Sequence, residues 1–129
     1  MLDAAADGTV QSRADEMAGW LRRELEAVLE RTGVTGFVHG ESSTFRIAVG
    51  MPRPPGDPPD WWRAVGTDAL KHGTRPEVHH ALQASMLLEG VHLFQGRGFL
   101  SGAHTEADIE LTVTAFERSL HRLRDEGLV

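Results

Sequence analysis

Cysteine is absent from the 129 residues, and with it go disulfide frameworks, thiolate zinc sites and a cysteine nucleophile. No apolar run approaches the length of a bilayer span. The start, Met1-Leu2-Asp3-Ala4, has neither the basic residues nor the apolar segment of a signal peptide. These absences predict a cytoplasmic protein with no membrane partner. Basic charge is scarce too, since 13 Lys and Arg against 19 Asp and Glu leave a formal charge of −6. The cations are scattered rather than gathered into the stripe that neutralises phosphates, so no nucleic-acid partner is expected. What is present is ordinary for a globular chain, 40% hydrophobic and 25% charged residues, which argues against disorder. A chain of 14.1 kDa buries about two-thirds of its unfolded surface, enough for one core. A single small domain over 1–129 is expected.

Periodicity supplies the elements. Val10, Ala14, Met17, Leu21, Leu25 and Val28 step by three or four, predicting a helix over 9–32 with Asp7 or Thr9 as its cap and Gly33 just past its end. Short β-prone segments follow at 36–39 and 44–49, the second with Phe45, Ile47 and Val49 alternating against Thr44, Arg46 and Ala48. Residues 51–60 hold five of the six prolines and read as an extended loop. Asp60 is placed to cap a helix over 61–72, with one residue of Trp61-Trp62 anchoring it to the core and Gly73 as its stop. Thr74 and Glu77 have capping-box spacing ahead of a helix over 75–89, with Pro76 in its first turn. Strands are expected at 91–94 and 99–101, joined by a turn through Gln95-Gly96-Arg97-Gly98. Thr105 with Asp108 opens a last helix over 106–125, and Gly127 stops it. This order predicts an α+β fold, a small, largely antiparallel sheet covered by helices on one face.

Motifs for chemistry are thin. His79 and His80 are adjacent, about 100° apart on a helix, and no histidine stands at metal-ligand spacing, so no metal site is expected. Gly96-Arg97-Gly98 lacks the helix that a phosphate loop needs directly behind it. No Gly-x-Ser-x-Gly elbow exposes Ser42, Ser43 or Ser101 as a nucleophile. Arg97, held between two glycines in a turn, can take a carboxylate bidentately, and it reads equally as a solvated turn arginine.

Gly90-Val91-His92-Leu93, the run Gly98-Phe99-Leu100-Ser101-Gly102-Ala103-His104-Thr105-Glu106-Ala107-Asp108-Ile109 and the closing helix resemble the C-terminal end of class-III pyridoxal-phosphate (PLP) dependent aminotransferases. The branch most resembled is that of glutamate-1-semialdehyde aminomutase. Upstream, Leu29-Glu30-Arg31-Thr32-Gly33, His39-Gly40 and Ser43-Thr44-Phe45-Arg46 resemble the helix, loop and strand that open the small domain of those fold-type-I enzymes. The sequence departs from the aminomutase pattern at Gly96-Arg97, where an acidic residue is expected.

The resemblance implies a small domain that packs on a large one carrying the cofactor, its Schiff-base lysine and the aspartate that pairs with the pyridinium nitrogen. Neither has a matching position here, and the only lysine, Lys71, lies outside any family motif and is expected at the surface. The expectation is therefore a fragment that is not catalytic and binds no cofactor alone, with PLP belonging to the full-length relatives. In the assembled enzyme, which moves an amino group on a small amino or oxo acid, Ser43, Arg97 and Ser101 would line the substrate entrance. The alternative is a non-catalytic protein-interaction or oligomerisation domain derived from that fold. Its expected partner is the missing large domain or a second copy, as a homo-oligomer.

Overall fold

A computed structural model describes residues 9–55, 61–94, 96–101 and 103–129. Helix α1 spans Thr9–Thr32, β1 Gly36–His39 and β2 Thr44–Val49. A 3-10 turn, Trp61–Val65, leads into the short α2, Thr67–His72, and then α3, Pro76–Leu88. Strand β3, Arg97–Phe99, precedes the last helix, α4, Glu106–Asp125.

The long helices form where an apolar stripe recurs at helical spacing. Ala14, Met17, Ala18, Leu21, Leu25, Val28 and Leu29 of α1 are all buried, as are Ile109, Phe116, Leu120 and Leu123 of α4. Helix α1 ends where Gly33 turns to φ 71°. The Gly33 and Val34 N–H groups then donate to the carbonyls of Glu30 and Leu29 at 3.2 and 3.1 Å, satisfying the end of the helix through a left-handed residue. Helix α4 starts on a true capping box: the Asp108 N–H donates to the Thr105 side chain, and the Thr105 N–H donates to Asp108 Oδ2 at 2.8 Å. Thr105→Ala should therefore destabilise the protein by about 1 kcal/mol. A lower urea midpoint at unchanged slope would show it.

The sheet is antiparallel throughout, in the order β1-β2-β3. Phe37 faces Ala48 and His39 faces Arg46 across β1 and β2, while Arg46 faces Arg97 and Thr44 faces Phe99 across β2 and β3. Because side chains alternate along a strand, Val38, Phe45, Ile47 and Val49 share one face, where α1, α3 and α4 build the main core around them. Phe37 and Ala48 share the other face and form a second small core with Met51, against which Val65, Ala69 and Leu70 pack. Helical segments thus lie on both faces of the sheet, not on one as the order of elements predicts, because the small Phe37–Ala48–Met51 core draws the 3-10 turn and α2 onto the second face.

Several sequence expectations are corrected. The segment 91–94 is not a strand. It leaves α3 through a left-handed Gly90, φ 91°, with the Gly90 and Val91 N–H groups tied to the Leu87 and Met86 carbonyls, and only Phe94 forms a bridge, to Arg97. Phe94 and Arg97 exchange both backbone hydrogen bonds, so the reversal is tighter than the expected four-residue turn, and Arg97 becomes the first residue of β3. The strand placed at 99–101 accordingly spans Arg97–Phe99 and pairs with β2, since the Leu100 N–H already continues the ladder to the Ser43 carbonyl. Thr74 does not cap α3. Pro76 takes the first helical position, which makes Arg75 the cap, without a side-chain cap bond. The helix expected over 61–72 is broken at Gly66, φ 90°. Gly73 ends α2 in a right-handed conformation and is glycine for another reason, since a Cβ there would lie 2.6 Å from Met51 Sδ. The caps assigned to Asp7 and Asp60 and the loop residues 56–60 lie outside the described residues.

Candidate functional site

The face that carries Phe37 and Ala48 changes character along the sheet. One end is closed by Met51 and α2, whereas the same face toward β3 holds His39, Arg46 and Arg97. At the β3 edge Phe99 is 65% exposed, and Phe94, on the bridge, is 60% exposed. Register brings the two guanidinium groups together, because Arg46 and Arg97 are directly opposite partners. Like charges in that relation repel. Burial, and then Arg97, hold the pKa of Arg46 below its ordinary value. Arg97 is half-buried, and its guanidinium carbon lies 5.8 Å from the Phe94 ring centre, within cation–π range. His79 of α3 lies next to Gly96. Burial, then His80 and Arg46, lower its pKa. Two half-buried, planar cations on one open face form an arrangement suited to bidentate recognition of a carboxylate.

His39 stands beside this pair at the end of β1. It is only 8% exposed, its ring centre lies 5.2 Å from that of Trp62 and 5.8 Å from that of Phe37, and its Nε2 has no hydrogen-bond partner among the described residues. Burial, with Arg46 adding to it, pushes its pKa down to about 4. At neutral pH the imidazole is therefore uncharged, which is how a histidine is tolerated between aromatic rings next to an arginine.

The three residues expected at a substrate entrance are not clustered. Ser43 and Ser101 lie at one end of the β2–β3 ladder, where the Ser43 carbonyl accepts from Leu100 at 2.8 Å. The Ser101 N–H donates to His104 Nδ1 at 2.8 Å, and its hydroxyl accepts from the Ala103 N–H at 3.3 Å, so Ser101 organises the turn into α4. Arg97 lies three ladder steps from Ser43, roughly 10 Å at the ordinary strand rise. What Arg97 does meet is Arg46, which alternation in the sequence marks only as a polar position of β2. Its partner depends on register with a strand some fifty residues later, which no local pattern encodes.

Lys71, the only lysine, lies in the six-residue α2. The N-terminus of α4 is closed by its own Asp108 carboxylate. Among the described residues no three His, Asp or Glu side chains are grouped to hold a metal ion, and no helix is long and apolar enough to cross a membrane.

No family model matches the chain, and no curated protein does. Solved structures do match it. The FumI protein of a Sphingopyxis species, solved as its PLP internal aldimine, is 21% identical with a TM-score of 0.70, covering 97% of this chain and 25% of that one. An omega-transaminase from Sphaerobacter thermophilus is 25% identical with a TM-score of 0.65, covering 88% of this chain and 24% of that one. A glutamate-1-semialdehyde aminomutase from Pseudomonas aeruginosa is 19% identical with a TM-score of 0.68, covering 89% and 24%. The α+β architecture is thus one found within PLP-dependent transaminases and aminomutases, and the chain spans about a quarter of the length of these structures.

Proposed function

We propose that these residues form the small C-terminal domain of a class-III PLP-dependent aminotransferase of the glutamate-1-semialdehyde aminomutase-like branch. The cofactor, its lysine and its phosphate site belong to a large domain outside them. The carrying observation is the asymmetry of coverage: 88–97% of this chain aligns with only 24–25% of each of three PLP enzymes. Exposed Phe94 and Phe99 lie on the face that the large domain covers, and interdomain faces of this kind bury about 600–1,500 Å². On that face Arg97, backed by Arg46, takes the carboxylate of a small amino or oxo acid, while Ser43 and Ser101 form the rim of the entrance. The domain alone does not catalyse.

The test adds PLP to the purified 129 residues and, separately, to the same residues joined to a transaminase large domain. The visible aldimine band is expected only in the second case. A stoichiometric band from the 129 residues alone, lost on Lys71→Ala, would overturn the reading.

The exposed phenylalanines also favour a second reading, a non-catalytic domain that covers this face by self-association as a homo-oligomer. Sedimentation separates the two. Under the first reading, association of the isolated chain disappears once a large domain is attached; under the second it persists.

A further inference from the structure

Phe94 and Arg97 exchange backbone hydrogen bonds at 3.0 and 3.1 Å, and an antiparallel pair that does so repeats the rung two residues further along. The next rung in this register joins His92 to Phe99. Among the described residues it is not formed. The Val91 N–H is tied back to the Met86 carbonyl at the end of α3 at 2.9 Å, so the two chain segments part after a single rung. A cavity of about 250 Å³ opens between residues 90–93 and 98–100. Leu21, Phe45, Leu93 and Ile109, all buried, line it, and α4 contributes Asp108 and Thr112.

The parting leaves one open couple on the sheet edge. The Ile47 N–H donates to the Gly96 carbonyl and the Leu100 N–H to the Ser43 carbonyl, both at 2.8 Å. These bonds assign Gly96, Gly98 and Leu100 to the ladder with β2, so Arg97 and Phe99 turn their N–H and C=O groups outward. Arg97 is closed by Phe94, and the following outward donor, the Ser101 N–H, is taken by His104 Nδ1 at 2.8 Å. The N–H and C=O of Phe99 have no partner among the described residues, and they face the side of the cavity. The opening is therefore one rung long, too short for an added strand, which gains its affinity from a row of main-chain bonds. Among the described residues the lining holds no arginine or lysine, and its one carboxylate, Asp108, already accepts the Thr105 N–H at 2.8 Å.

We propose that this cavity binds the neutral amide of a small apolar molecule. The amide N–H donates to the Phe99 carbonyl, its C=O accepts from the Phe99 N–H, and an aliphatic body packs on Leu21, Phe45 and Ile109. An amide fits because it presents one donor and one acceptor side by side, as an extended residue does at a strand edge. A carboxylate of the same shape does not fit: it offers acceptors alone, against a carbonyl oxygen and Asp108, with no cation in the lining to offset its desolvation. The inference does not rest on the functional reading above and concerns the 129 residues alone.

The experiment titrates the whole chain with isovaleramide and, separately, with isovalerate, following backbone amide shifts. Saturable binding of the amide with a Kd of about 10 mM or tighter is expected, with shifts at Leu93, Phe99 and Ile109, and the carboxylate should bind at least roughly tenfold more weakly. Phe99→Pro removes only the outward N–H, which serves no bond to β2, and an edge strand tolerates proline in that position. Its predecessor Gly98 lacks the Cβ that the proline ring would crowd. This variant should lose at least roughly tenfold in affinity, whereas Phe99→Ala keeps the N–H and should stay within about twofold. Thr112→Phe, a change of similar helix propensity, puts a ring into the cavity from α4 and should also abolish binding, and it decides the matter if Phe99→Pro does not fold. No saturable binding of isovaleramide, equal affinity for isovalerate, an equal loss in Phe99→Ala and Phe99→Pro, or unaltered affinity in Thr112→Phe would each overturn the proposal.

Discussion

Arg97→Ala, in an enzyme in which this domain sits on a large domain, is expected to weaken binding of the substrate carboxylate by roughly ten- to a hundredfold. The protein should stay folded with its unfolding midpoint little changed. The binding loss follows from removing a charge-assisted bidentate pair from a half-buried position, and such pairs contribute about 1.5–3 kcal/mol. The small effect on stability follows from the register. Arg97 faces Arg46 across the sheet, so deleting one of two opposed cations relieves repulsion, which offsets the packing lost against Phe94. Arg97→Lys sharpens the test, because it keeps the charge and loses the planar fork; a true bidentate site recovers little. Substrate KM and the dissociation constant of a dicarboxylate inhibitor are the measurements. A change below twofold in both would mean that Arg97 contacts no ligand.

The stability of the chain should fall as pH drops from 6.5 toward 4, by about 2–3 kcal/mol, with His39 responsible. In the unfolded chain this imidazole titrates near 6.5, whereas in the fold burial and Arg46 push it down to about 4. Below 6.5 the unfolded state therefore takes up a proton that the folded state refuses, and stability is lost progressively until the folded pKa is reached. Above 6.5 the contribution is complete and flat. Glu89, Glu117 and Asp108 also have lowered pKa values, set first by Arg122, Arg31 and Thr105 respectively. Their contributions are lost only as pH falls below the ordinary carboxylate range, so the window from 6.5 to about 5 reports on the two histidines with lowered pKa values, His39 and His79. Urea unfolding of the wild type and His39→Gln across that window provides the check. The wild-type slope with pH should fall in the variant to the smaller remainder set by His79, and equal slopes would place the effect elsewhere.

How much of this was legible in the sequence differs from element to element. The stripe from Ala14 to Val28 and the alternation of Phe45, Ile47 and Val49 are periodic signals that carry their own faces, and the structure buries those residues. The Thr105–Asp108 capping box is a contact three residues long and is equally legible. The region 91–101 was not. Val91-His92-Leu93-Phe94 has strand composition, yet the chain there is engaged in closing the end of α3. A C-terminal helix motif and a strand compete for the same backbone groups, and the helix is already formed. The candidate site was half legible. A glycine-flanked arginine is a local feature, but its pairing with Arg46 joins β2 to β3, and His39 matters only because Trp62 and Phe37 surround it.

The sequence by itself determined what short-range chemistry can specify: the α+β class, where α1 and α4 begin and end, most residues of the main core, and the lack of a cysteine, of a basic stripe and of a second lysine. Tertiary structure alone decided which distant groups meet. Strand register set Arg46 against Arg97, and burial fixed the charge of His39. The physical reason is range. Periodicity, capping and turn chemistry act over a few residues, whereas register, convergence of charges and desolvation are properties of surfaces that the folded chain brings together from far apart in sequence.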